Sequence, residues 1–336
     1  MLRDRQARRG ITHLTLRIIV SLLALVSLAA QAVAVNDLYE VTLPIQGSRE
    51  AAFAEALKVV AVRVSGRRDA AARLGAAANN ARQYVQRFSF TEDNQLQVAF
   101  DTASIDRLLG EASLPTWGRE RPATLVLLNA PTPDGAPLWI DATYPAPERD
   151  MLSQAAKLRG VPLVWPTLDP RDRSLLDAGA NAPELLSLAA RYNANAVLVG
   201  HGRRDASGIL TVHWALASDE GAAEATGTVE DGAHLIADTF ARIYAASAGS
   251  VGSVNVEVSG IRNLDDYAST VNYLESMTLV RSVAVEQISG ETMRFQLSVR
   301  GDATTLRRAL ALDNKLVPVS PESGVGTDRL QLRLQR

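Results

Sequence analysis

The chain has 336 residues, 35 Lys and Arg against 37 Asp and Glu, a formal charge of −2 and no cysteine. That length holds two or three domains with cores of their own. Without cysteine, disulfide staples, thiol catalysis, thiolate zinc sites and a lipid anchor on a cleaved Cys are all excluded.

Arg3, Arg5, Arg8, Arg9 and Arg17 precede an apolar run from Ile18 to Ala30, and Ala32-Val33-Ala34 follows with small residues flanking a larger one. This is the pattern of a signal peptide over residues 1–34, cleaved after Ala34. The flanks of Arg8-Arg9 fit a twin-arginine signal poorly, so the general secretory route is expected. The apolar run barely reaches the roughly 20 residues that span a bilayer. No stable membrane anchor is therefore expected after cleavage, and the mature chain should be periplasmic. Losing five Arg and one Asp leaves 30 basic and 36 acidic residues, a charge near −6. That balance disfavours nucleic acid and anionic membrane surfaces as partners.

Residues 35–121 read as a βαββα module. Leu38 to Ile45 is a strand. Ser48 then caps a helix whose apolar positions Phe53, Ala56, Leu57, Val60 and Val64 share one face, with Gly66 as its stop. An Ala/Asn-rich spacer (residues 70–81) precedes two strands, Tyr84 to Phe90 and Leu96 to Phe100, joined at Asp93-Asn94. A short helix, Ser104 to Leu109, follows. A closing strand at about residues 123–129 would complete a ferredoxin-like βαββαβ order.

Residues 122–248 alternate strand and helix. The strands are Leu138 to Thr143, Val161 to Trp165, the wholly apolar Ala196 to Gly200, Ile209 to Ala217 and Ala225 to Glu230. The helices are Glu148 to Arg159, Pro183 to Tyr192 and Ala233 to Ala246. This is a central α/β domain. Residues 249–336 repeat the βαββαβ order. Val254, Val256 and Val258 alternate with polar residues, Asn263 caps a helix, and Arg281 to Ile288 and Thr292 to Val299 form a hairpin around Gly290. Thr305 to Leu312 is a helix, Leu316 to Val319 a strand, and Leu330, Leu332 and Leu334 mark a tail strand at the sheet edge. The expected fold class is thus α/β and α+β, two ferredoxin-like modules flanking a central α/β domain.

The combination Leu38-Tyr39-Glu40-Val41, an Ala-rich helix and Val62-Arg63-Val64-Ser65-Gly66-Arg67 resembles the domain of unknown function 2066 family, exported proteins of Gram-negative bacteria. The resemblance spans residues 37–250. It implies export and supplies no catalytic residues.

Three His remain after the leader: His201, His213 and His234. A three-residue loop at Ala206-Ser207-Gly208, with Gly208 left-handed, would set His201 opposite His213 as a candidate metal pair. A catalytic zinc site wants a third protein ligand, and only Asp205 and Asp219 lie nearby. No Gly-x-Ser-x-Gly elbow, phosphate loop or dinucleotide fingerprint is present. Ser153 and Lys157 lie at i,i+4, the wrong spacing for a Ser-Lys hydrolase. Asp265-Asp266 and Glu230-Asp231 sit at helix starts, where the dipole favours them. Arg67-Arg68, Arg203-Arg204 and Arg307-Arg308 read as solvated pairs.

No catalytic, cofactor or metal site is therefore assigned. The expectation is a non-enzymatic binding or scaffold protein of the cell envelope, acting through contacts with an envelope protein partner. One alternative is peptidoglycan binding by the C-terminal module. Residues 251–319 share the order and size of the SPOR module but lack its first-strand Gln and Gly. A second alternative is a metal-dependent hydrolase on His201 and His213.

Overall fold

The apolar stripe of the first predicted helix decides the N-terminal module. In the computed structural model, which describes residues 33–45, 47–132, 134–247, 251–319 and 329–335, all five stripe residues are buried. The module comprises strands β1 (Val33–Ala34) and β2 (Glu40–Pro44), helices α1 (Arg49–Ser65) and α2 (Ala70–Arg73), and a 3-10 stretch (Gly75–Tyr84). Strands β3 (Val85–Phe90) and β4 (Gln95–Phe100) and helix α3 (Thr102–Glu111) complete it. The expected leader lies outside the described residues except for Val33 and Ala34. The expected spacer is helical because Ala70, Leu74, Ala78 and Ala81, three or four residues apart, bury against α1. The sheet has the antiparallel order β2-β4-β3.

The strand expected to close that sheet lies elsewhere. After β5 (Glu120–Arg121), which pairs with β1, strand β6 (Thr124–Pro131) runs through the middle of a second sheet. Its first five residues are all buried. Val126 and Leu128 join one core cluster, Leu125 and Leu127 the other. A strand so apolar on both faces needs cover on both, which a three-stranded sheet with helices on one side does not give. The remaining elements are β7 (Pro137–Ile140), α4 (Pro147–Arg159), β8 (Leu163–Val164), α5 (Pro170–Asp177) and α6 (Ala182–Arg191). Then come β9 (Ala196–Arg204), β10 (Leu210–Ser218), β11 (Gly221–Gly227) and α7 (Asp231–Tyr244). The sheet order is β11-β10-β9-β6-β7, with β8 parallel to the start of β6. Helices α4 and α7 cover one face, and α5 and α6 the other. Strand β11 stops at Gly227, three residues short of the expected Glu230, because Asp231 turns the chain by accepting from Thr228 N–H.

The C-terminal elements are β12 (Val251–Ser259), α8 (Leu264–Ser276), β13 (Val280–Ser289), β14 (Thr292–Arg300), α9 (Ala303–Ala311), β15 (Leu316–Pro318) and β16 (Arg329–Leu334). Their sheet runs β13-β14-β12-β16-β15. The tail strand β16 is therefore internal, parallel to β12 and antiparallel to β15. Leu330 and Leu332 are buried beside Val256 and Val258, more apolar surface than an edge position would cover. The described residues form a mixed α/β fold, and among them no helix is long and apolar enough to cross a membrane.

Residues 114–121 join the three parts. Trp117 N–H donates to Val64 C=O at 2.7 Å, Thr116 bridges Ala246, and Arg119 N–H donates to Thr278 Oγ1 at 3.1 Å. Arg121 is fully buried, its guanidinium 3.9 Å from the Trp117 ring centroid. Its five donor contacts are Nε to Gly118 C=O (2.9 Å), Nη1 to Arg159 (3.0 Å) and Gly160 (2.9 Å), and Nη2 to Arg63 (2.8 Å) and Trp117 (3.0 Å). The last turns of α1 and α4 thus direct carbonyls, the negative ends of their dipoles, at one cation. Burial pulls the Arg121 pKa down to about 9, Arg63 adding to the effect, and the group is charged at neutral pH.

Arg121→Met leaves those carbonyls without a donor and should cost about 3–5 kcal/mol in urea unfolding. Arg121→Lys, with three donors and no planar fork, should recover only part of that loss. Wild-type stability in both variants would refute the role assigned to Arg121.

Candidate functional site

A cleft of about 910 Å³ opens where α1 ends. Ser48 Oγ starts that helix by accepting from Ala51 N–H, and Gly66, left-handed at φ 69°, stops it. The chain then turns as Ser65-Gly66-Arg67-Arg68-Asp69 along one wall. Asp231, Leu235, Asp238 and Arg242, one stripe of α7 at helical spacing, form the second wall. Ala225 and Thr226 of β11 form the third. Gly66 sits so close to α7 that an added Cβ would overlap Ala241 Cβ and lie 3.1 Å from Trp117.

Asp238 holds the loop to the helix. Arg68 reaches it at 2.6 Å and the nearly buried Arg159 at 2.7 Å. Burial alone would raise the Asp238 pKa, but the two guanidinium bonds override it and the net direction is down. Arg159 also donates to Gly66 C=O at 2.8 Å and to His234 Nδ1 at 2.9 Å. A guanidinium only donates, so His234 Nδ1 accepts and the imidazole proton sits on Nε2. Burial, then the charges of Arg159 and Arg68, lower the His234 pKa. Beside this network the Thr239 hydroxyl is buried against the cleft, with no hydrogen-bond partner among the described residues. The arrangement offers paired charges, one unspent hydroxyl and the apolar Leu235 and Ala225, which suits binding. It aligns no nucleophile with a base.

The histidines singled out from the sequence lie on the other face of the sheet. Gly208 is left-handed and Asp205 N–H donates to Ile209 C=O, so the three-residue loop forms and His201 stands opposite His213. His201 packs edge-on against Trp139, with 5.7 Å between ring centroids, and His213 Nδ1 lies 3.1 Å from Thr226 Oγ1. Burial, then the His213 and Arg203 charges, lower the His201 pKa. Asp205 is engaged by Ser207 and Ile209 N–H in the turn, and among the described residues no group of three His, Asp or Glu could hold a metal. Ser153 Oγ accepts from Trp165 Nε1, and at their helix starts Asp231 accepts from Thr228 N–H and Asp266 from Arg262 N–H. Ala34, the expected cleavage residue, pairs with Glu120 in β1. Reading the sequence missed Asp238, Arg159 and His234 as a group. The available signal was the α7 polar stripe, set beside the Arg-Val-Ser-Gly-Arg segment that ends α1.

A family described as a domain of unknown function (DUF8605) matches residues 32–118. This overturns the resemblance to the domain of unknown function 2066 family, because the match is to a different domain of unknown function and stops before the central sheet. The matched segment carries the loop wall of the cleft, while α7 and β11 lie beyond it. No curated protein matches the chain.

Gly66→Ala combines a left-handed backbone with a clash against α7 and should cost about 3 kcal/mol in urea unfolding. Gly75→Ala, also at positive φ but facing open space, should cost about 1 kcal/mol. Equal costs would refute the close approach at Gly66.

The unfolded chain binds a proton at His234 more readily than the folded chain does, so stability should fall as the pH drops below about 6.5, the ordinary imidazole value. His201 acts in the same direction, whereas the lowered carboxylates act in a lower window, as the pH falls below their ordinary values. His234→Gln, whose amide oxygen can still accept from Arg159, should flatten the fall between about pH 7 and pH 5. An unchanged slope in urea titrations would exclude His234 as the linked group.

Proposed function

We propose that this is a non-enzymatic binding protein of the cell envelope, exported to the periplasm by the general secretory route, that takes an extended segment of a protein partner along β11. The observation that carries the reading is that β11 ends the central sheet and its Ala225 and Thr226 line the cleft. A terminal strand presents unpaired backbone groups that an added strand can satisfy. Ser218 pairs with Gly221 across a two-residue loop. Alternation along the ladder then turns the backbone of Ala222, Glu224 and Thr226 outward. Small side chains at Ala222, Ala223 and Ala225 leave room for a neighbour. The adjoining cleft, with the unspent Thr239 hydroxyl, offers places for side chains of that neighbour.

The outer modules are read as ferredoxin-like supports. What favours this in the C-terminal module is the antiparallel order β13-β14-β12, with α8 and α9 in one core against the sheet. The tail strand then takes the place beside β12 that a closing strand would fill. The N-terminal module keeps three strands of the same plan.

A photo-crosslinking residue at Glu224 of the mature chain should capture one reproducible envelope protein in cells. Thr226→Pro removes an outward N–H without touching the β10 ladder, so it should abolish the adduct and leave thermal stability within about 1 kcal/mol of wild type. No adduct above background, or one that survives Thr226→Pro, would refute strand addition at this edge.

A further inference from the structure

A second cavity, about 430 Å³, lies where the N-terminal and C-terminal modules meet. Arg107 enters it from α3, while Arg281 and Arg300 enter from the adjacent strands β13 and β14. Arg300 N–H donates to Leu279 C=O at 2.7 Å, which brings Arg281 alongside. The cavity has one carboxylate, Asp106, and it is already spent. Tyr39 hydroxyl donates to Asp106 Oδ1 at 3.0 Å and Arg300 Nη2 reaches Oδ2 at 2.7 Å. The Arg107 and Arg281 side chains make no hydrogen bond or ion pair among the described residues.

Asp101 at the start of α3 feels the Arg107 charge, but inside the cavity neither guanidinium is paired with a carboxylate, a local surplus of two positive charges. Arginines left without carboxylates at a junction repel each other, whereas an oxyanion between them accepts several charge-assisted bonds in the fork geometry of the guanidinium. A dianion balances the surplus best. Ala103, Leu114 and Ala246 supply apolar wall beside the charged end, and the volume exceeds what a bare phosphate fills. Gly110 of α3 faces the same space, with nothing within 4 Å of where a Cβ would stand. We propose that this cavity binds the phosphate group of an organic phosphomonoester or lipid headgroup, held between Arg107 and Arg281, independently of the β11 cleft.

The test is calorimetric titration of the full mature chain with glycerol 3-phosphate at constant ionic strength, with sedimentation on vesicles containing phosphatidic acid, whose headgroup is also a phosphomonoester, as a second arm. Saturable binding is expected in at least one arm, weakened about tenfold or more by Arg107→Gln and again by Arg281→Gln. Gly110→Phe should block it without removing a charge. Arg171→Gln with Arg203→Gln, an equal charge loss on the central domain, should leave it intact. Binding of glycerol 3-phosphate alone assigns a soluble ligand, and Arg107-dependent vesicle binding alone assigns a headgroup. No saturable binding in either arm, or equal weakening by the control pair, overturns the proposal. Thermal unfolding of each variant separates loss of the site from loss of the fold.

Discussion

Two helices end on one buried cation, and the arrangement of the modules follows from it. The last carbonyls of α1 and α4 have no partners in their own helices. Outside water, each would carry a desolvation cost of about 1–3 kcal/mol. Arg121 answers both helix ends with a single planar group, and the Trp117 ring closes its face. Arg63, on the other side, ties the start of β2 to the same junction by donating to the carbonyls of Asp37 and Glu40. A carbonyl cage of this kind requires every helix end to arrive at a fixed distance and angle. It therefore fixes orientation far more tightly than an apolar interface of equal area.

The cleft is a by-product of that geometry. Because Arg121 and Arg159 draw the end of α1 against α4 and α7, the following loop has to leave sideways, past Gly66, and stands off from β11. The gap stays open because its walls are charged and already paired. Arg68, Asp238 and Arg159 satisfy one another across the loop and helix, which leaves little to gain by collapse. The histidine pair on the opposite face has no comparable scaffold. Its neighbours are Trp139 and Thr226, an aromatic edge and a hydroxyl, and each imidazole is accounted for by what it touches.

Much of the fold was legible because its cores obey simple periods. The α1 stripe, the β12 alternation and the His201–His213 register all follow from spacing and turn chemistry that act locally. What escaped reading is non-local. The Thr124–Leu128 run looks the same whether it closes one sheet or centres another, and only the need for cover on both faces decides between them. The Ala-rich segment after Gly66 looked like a spacer because alanine contributes little apolar signal, although its small size is what lets it nest on α1. Helix α5 was overlooked behind Pro170. It is held by an Asp169 cap and by the buried Asp172, which takes bonds from Arg191 and Tyr192. The cleft network joins residues 68, 159, 234 and 238, and no pattern within a single segment announces such a set.

The internal position of β16 has a kinetic consequence. Val256 and Val258 acquire their parallel neighbour only from Leu330 and Leu332, near the end of the chain. Parallel pairing across so long a loop is slow, because the closure entropy is lost before the contacts form. During synthesis the C-terminal sheet therefore cannot be completed until residues 329–334 have emerged. Until then β12 offers an open, apolar, strand-shaped surface, which a holding chaperone could recognise and on which a stalled or clipped chain would aggregate.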